Sequence, residues 1–173
     1  METEQQILLE RARKVAVKKA DNSFETGEIL PVIEFLLVPE HYAIAGAFVR
    51  EVMPLREVTG IPGTQPFVMG VINLRGKIVS VINLKMLFGL KERGLTEMNK
   101  VIILESAQMR FGIVADAIIG NRLISLNSIS SPPLNLSKSA GEFVKGVTSD
   151  GLILLDAEVL LSSPVIVLQS KKK

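Results

Sequence analysis

Few residues in this chain have the types and spacing that chemistry needs. Arg75 and Lys77 stand inside VINLRGKIVSVINLKMLFGL, residues 71–90, a stretch otherwise almost wholly apolar. Fixed cations there suggest a phosphate site, a hairpin tip or a structural ion pair. A phosphate loop needs a glycine five residues before the Gly-Lys step and a Ser or Thr after it. Here Ile78 follows Lys77 and Val71 occupies the glycine position, so that chemistry is excluded. His41 is the sole histidine; beside Glu40 it reads as a solvated turn residue. A metal centre needs three or four convergent ligands, and the sequence has neither an HExxH motif nor any cysteine. There is no GxSxG or GxGxxG motif, and a Ser-His-Asp triad would have to recruit His41 without a nucleophile elbow to serve. Glu34, Glu51, Glu57, Glu105, Asp116, Asp150 and Asp156 are spread singly, and Asp156 is better placed as a helix cap. Aromatic and basic residues do not interleave along one strand, so a base-stacking platform is unsupported.

A binding surface is what remains. Arg75 sits at a predicted turn between two apolar strands, and Glu51 lies in the strand FVREV. The two could pair and tie one hairpin to a neighbouring strand; Arg75 could equally be a solvated turn residue.

The elements that must position these residues follow from length and pattern. The 173 residues suggest one domain, or two small halves sharing a core. The hydrophobic fraction of 47% is ample for a core. Mean hydropathy is +0.36, yet no apolar run approaches the roughly 18–20 residues of a membrane helix. The start METEQQ is acidic and polar, unlike a signal peptide. Without cysteine there is no disulfide or thiolate chemistry. Net charge is +2, from 20 basic and 18 acidic residues, too balanced to argue for nucleic acid. These features lead us to expect a cytoplasmic globular protein with no metal and no cofactor.

Residues 1–28 read as a helical arm and linker. Thr3 and Gln6 have capping-box spacing, and Leu8, Ala12, Val15 and Lys19 form a narrow stripe. The arm could pack on the domain, fray, or meet a partner or membrane surface. From Ile29 onward, short β-rich runs alternate with Gly, Pro, Asn and Ser: PVIEFLLV, HYAIAGAFVREV, FVMGVINL, KIVSVINL, KVIILES, RFGIVADAIIG, EFVKGV, GLILL and PVIVLQS. Such spacing predicts an all-β barrel or sandwich. Pro39-Glu40 and Arg75-Gly76 are predicted hairpin turns. Two short helices are expected, LKMLF between an Asn83 cap and Gly89, and AEVLLS after an Asp156 cap. REVTGIPGTQPF reads mainly as loop.

The pattern also repeats. Tyr42-Ala43-Ile44 precedes Val49 by the interval at which Phe111-Gly112-Ile113 precedes Ile118. Gly70-Val71 leads through a hairpin to the Asn83 cap, and Gly146-Val147 leads to the Asp156 cap. Each block recurs roughly 70–75 residues later, as two copies of a small module would.

At this point the residues carry a family. FVMGVINLRGKIVSVINLKMLFGL resembles the signature of CheW, the coupling protein of bacterial chemotaxis. VIEFLLVPEHYAIAGAFVREV is similar to that family's first strands, KVIILESAQMRFGIVADAII to its later pair, and VKGVTSDGLILLDAEVLL to its closing hairpin and helix. The resemblance covers residues 31–163. It implies two small five-stranded β-barrels side by side around a shared core; we place that domain over residues 29–168, followed by a basic tail, 169–173. It implies no catalysis. Partners would be the cytoplasmic tip of a chemoreceptor and a CheA-type histidine kinase, in arrays at the inner face of the membrane, with a monomer in isolation.

Carried over by position, the resemblance implies an ion pair of Arg75 with Glu51. It implies a receptor-binding groove between the barrels at Val49, Gly70, Gly112, Ile118 and Asn121. Kinase contacts fall on Ile129, Ser130 and Leu134 of the loop ISSPPL, with Met69 and Ile78 as lesser candidates. The chain departs from the family pattern at Ser80, Asn83, Ala45-Gly46-Ala47, Asn121 and Ser130, which bears on affinity for both partners. The alternative expectation is a small-barrel module using its basic N-terminal arm on nucleic acid or an anionic membrane.

Overall fold

The computed structural model describes residues 28–90, 99–132, 141–163 and Ile166. The arm up to residue 27, Leu134 and the tail 169–173 lie outside the described residues.

Among the described residues the elements run in the order β1 (Ile29–Leu37), β2 (Glu40–Ala45), β3 (Val49–Pro54), β4 (Val68–Leu74), β5 (Lys77–Ile82), α1 (Leu84–Phe88), β6 (Lys100–Glu105), β7 (Arg110–Ala115), β8 (Ala117–Ser125), β9 (Val144–Val147), β10 (Ile153–Leu155) and α2 (Ala157–Ser162). They form two five-stranded sheets, ordered β8-β1-β2-β10-β9 and β3-β6-β7-β5-β4. Exchanging β1–β5 for β6–β10 converts one order into the other. The internal repeat is therefore real, but each sheet mixes strands of both halves. The β1–β2 hairpin sits in the sheet that holds β8, β9 and β10, and the β6–β7 hairpin sits with β3, β4 and β5. Each sheet contains one parallel pair, β2 with β10 and β5 with β7.

Each sheet is drawn toward closure at one bridge. Thr59, beyond β3, exchanges two backbone hydrogen bonds with Val71 of β4, and Ser130, beyond β8, does the same with Val147 of β9. Glycine permits both approaches. A Cβ on Gly70 would stand 2.1 Å from the Thr59 carbonyl oxygen, and one on Gly146 would stand 2.4 Å from that of Ser130. REVTGIPGTQPF is otherwise loop, as expected.

Three apolar clusters result. One lies within the second sheet (Ile72, Leu74, Val79, Val81, Val101, Ile103, Val114), and one within the first (Val32, Ala43, Ile124, Leu152, Leu154). The largest lies between the sheets and includes Phe35, Tyr42, Ile44, Ile102, Leu104, Phe111 and Ile113. Strands buried on both faces explain runs without polar alternation. Along β6, Val101 and Ile103 enter the second sheet's own cluster, while Ile102 and Leu104 enter the shared one. Each such buried side chain contributes about 1.5–3 kcal/mol. Phe35, Tyr42, Phe88 and Phe143 form an aromatic row through the shared core, with successive centroids 6.1 Å apart. Burial pushes the Tyr42 phenol up to about 12.

The helix signals act as expected. Asn83 Oδ1 accepts from the Lys85 and Met86 amides, and Gly89 ends α1 at φ +73°; Asp156 caps α2 by accepting from Val159 N. Two expectations are corrected. Ile166, the one described residue of PVIVLQS, is helical and fully buried, not part of a strand. His41 belongs to β2 instead of a turn, paired opposite Leu36, with its Nδ1 2.8 Å from Glu34 Oε2.

Candidate functional site

β3 and β8 occupy the same place at the edges of opposite sheets. The register of each shifts at equivalent points, between Val49 and Glu51 in β3 and at the step from Ile118 to Gly120 in β8. Arg50 and Ile119 are the extra residues, exposed on bulges that twist an edge strand. The shifts set which side chains face the seam. Val49 pairs with Leu104 and Val52 with Ile102, both in the shared cluster. Ile118 pairs with Phe35, and Asn121 with Ile33, which packs on that cluster. Val49 and Ile118 both pack on the shared cluster while remaining partly exposed. The shared core thus reaches the surface along two pseudo-equivalent strands, one per sheet.

Of the residues expected at a groove, Val49, Ile118 and the exposed Asn121 lie on these two strands. Gly70 and Gly112 are buried. A Cβ on Gly112 would come 2.5 Å from Val101 Cγ1, inside the second sheet's cluster, so this glycine lets β6 side chains pack across β7. Val52, 38% exposed, was not foreseen. The repeat contains it, because Val52 precedes Asn121 by the interval that separates Val49 from Ile118.

Arg75 and Glu51 pair as expected. Arg75 Nη1 and Nη2 donate to the two carboxylate oxygens of Glu51 at 2.6 and 3.0 Å. The pair lies at the surface, with the Arg75 side chain 71% exposed, so the energetics of a buried pair do not apply. Arg75 and Gly76 form a two-residue hairpin loop with φ of 51° and 86°. Both positive values fit a type I′ turn. Asn73 Oδ1 accepts from Gly76 N at 2.8 Å and holds it. The guanidinium hydrogen bonds keep the Glu51 carboxyl below its ordinary range. At the far end of β6, Glu105 takes contacts from Arg110 and Arg50, which hold it low in the same way.

The expected kinase-contact residues fall on both sheets. Ile129 packs on the first sheet's cluster and Ser130 makes the closing bridge to Val147. Met69 packs on the second sheet's cluster. Ile78 is 63% exposed, on the rim of a depression of about 290 Å³ that Lys77, Glu105, Met109 and Arg110 also line. Among the described residues, no group of three or more His, Cys, Asp or Glu could hold a metal ion, and no helix is long and apolar enough to cross a membrane.

The model of the CheW-like domain matches residues 31–165. The chain belongs to the CheW-like family. The match takes in both sheets, the edge strands β3 and β8, and the Arg75–Glu51 pair. Chemotaxis protein CheW of Treponema pallidum (strain Nichols) is 30% identical over 158 residues, covering 87% of this chain and 89% of the relative. Chemotaxis protein CheW of Klebsiella aerogenes is 36% identical over 132 residues, covering 75% and 80%. The crystal structure of the scaffolding protein TtCheW from Thermoanaerobacter tengcongensis superposes with a TM-score of 0.70 at 33% identity, covering 80% of this chain and 96% of that one. Within this chain, Asn121 of β8 is the pseudo-equivalent of Val52 of β3.

Proposed function

We propose that this CheW-like protein is a non-catalytic adaptor that couples chemoreceptors to a CheA-type histidine kinase, working in the cytoplasm within arrays at the inner face of the membrane. The observation that carries the reading is the pair of bulged edge strands. They bring the shared apolar core to the surface at Val49 and Val52 on one side and Ile118 on the other. An apolar seam of this kind suits an amphipathic helical hairpin laid along it, read through spaced apolar anchors. The receptor tip is that hairpin. Gly70 and Gly112 were expected beside this seam; a Cβ on either would meet the Thr59 backbone or the second sheet's own cluster.

The kinase contacts are assigned to Ile129 and Ser130 on the first sheet and to Met69 and Ile78 on the second. Leu134, outside the described residues, is assigned to the same kinase contact by sequence alone. Two contact faces on one adaptor allow kinase and adaptor to alternate in a ring, so that receptor state controls autophosphorylation. Asn121 supplies a polar edge that selects among receptors. Co-purification tests the reading. The folded protein should retain both a receptor-tip fragment and the regulatory domain of a CheA-type kinase. Capture of neither would refute it.

A further inference from the structure

Lys85 is a buried cation that neither the core nor the proposed partner surfaces use. Its side chain is 4% exposed and its Nζ lies 2.6 Å from Asp116 Oδ2. Beyond that ion contact the ammonium makes no hydrogen bond of normal geometry among the described residues. Burying a charge so thinly partnered is costly and calls for a reason. Asp116 occupies the step where the chain leaves the second sheet at the end of β7 and enters the first at β8. Its Oδ2 also accepts from Val38 N at 2.7 Å, in the β1–β2 turn, and its own amide donates to Leu36 O at 2.8 Å. Asn99, leading into β6, donates to Ala115 O at 3.0 Å. One carboxylate therefore takes contacts from a turn of the first sheet and from the helix that follows β5 of the second.

The fold does not require this arrangement. The pseudo-equivalent step, from β2 to β3, is the 3-10 turn Gly46–Phe48, where Ala47 stands at the Asp116 position and no side chain caps the turn. The counterpart of Lys85, two places after the Asp156 cap, is the exposed Glu158. The same crossing is made once with a buried ion pair and once without. The crossing that has the pair is followed two residues later by Ile118. We infer that Lys85 and Asp116 are positioning residues for receptor binding: the pair fixes the β8 wall, Ile118 and Asn121, relative to the β3 wall, Val49 and Val52. The inference rests on the reading given under Proposed function. Ser130 is held by its own bridge to Val147 and Ile129 packs on the first sheet's cluster, so the pair does not govern them.

The double variant Lys85→Met/Asp116→Asn removes both charges while keeping side-chain length and an acceptor for Val38 N. Titrated with a receptor-tip hairpin fragment, it should bind about tenfold or more weakly than wild type. Titrated separately with the kinase regulatory domain, it should stay within about twofold of wild type. Receptor affinity equal to wild type, or equal losses for both partners, would overturn the inference. Failure of the wild type to bind the receptor fragment would overturn the functional reading itself, and is seen before any variant is made. If the double variant does not fold, amide exchange in Asp116→Asn decides. Residues 117–121 should exchange faster while β6 and β7 keep their protection; unchanged exchange at 117–121 would overturn the inference.

Discussion

Gly70 lies against Thr59 so closely that a β-carbon on it would stand 2.1 Å from the Thr59 carbonyl oxygen. Its φ of +144° adds backbone strain for any other residue. Gly70→Ala should therefore open the Thr59–Val71 bridge and cost about 2 kcal/mol or more. Gly146→Ala should act alike at the Ser130–Val147 bridge, by overlap alone. Urea unfolding of both variants checks this; two unchanged midpoints would mean that the bridges do not hold the sheets.

Lys85→Met alone leaves Asp116 facing a buried site without its cation and should lose about 3–5 kcal/mol. Lys85→Met/Asp116→Asn should recover most of that loss. A double variant as unstable as the single would show that the carboxylate is needed for more than charge balance.

Arg75→Asn should leave the melting temperature at or above wild type. The exposed ion pair contributes little, and Asn tolerates the positive φ of 51° better than Arg. If kinase stimulation nonetheless falls, Arg75 acts at a partner surface. A clear drop in melting temperature would instead make the Glu51 contact structural.

Tyr42, the single tyrosine, gives the alkaline limb a signature. Its phenol ionises near 10.0 when exposed and is raised to about 12 in the fold by burial. The folded state holds the proton more tightly, so this contribution is intact below pH 10 and is lost as pH rises through about 12. Tyr42→Phe should flatten stability across that window, measured by denaturant titration beside phenolate absorbance of the wild type. On the acid side, Asp150 is held low by the Thr148 hydroxyl and then Arg122. Its contribution is present above the ordinary carboxylate range and is lost as pH falls through the lowered value.

Much of the fold was legible in the sequence because its signals are local. β-rich runs, Asn83 and Asp156 as caps, and Arg75-Gly76 as a turn need only neighbours a few residues away. The repeat showed two modules but not the exchange of their first hairpins. β1 pairs with β8 across some ninety residues, and such pairing leaves no local mark. His41 looked like a turn residue because Pro39-Glu40 precedes it, yet β2 already begins at Glu40. Nothing local in the sequence marks Lys85 as buried; tertiary packing beside Asp116 buries it. Gly112 was expected at a groove because the family places it there, whereas the structure shows it giving room to Val101 and Ile103.

The edge-strand seam is the centre of the account, and one measurement tests it most directly. Binding of a receptor-tip hairpin should be compared for wild type, Val49→Asp and Ile118→Asp, with melting temperature followed in parallel. The account predicts that each aspartate weakens binding by at least about tenfold, a hot-spot loss, while the fold persists. Wild-type affinity in both folded variants would contradict it.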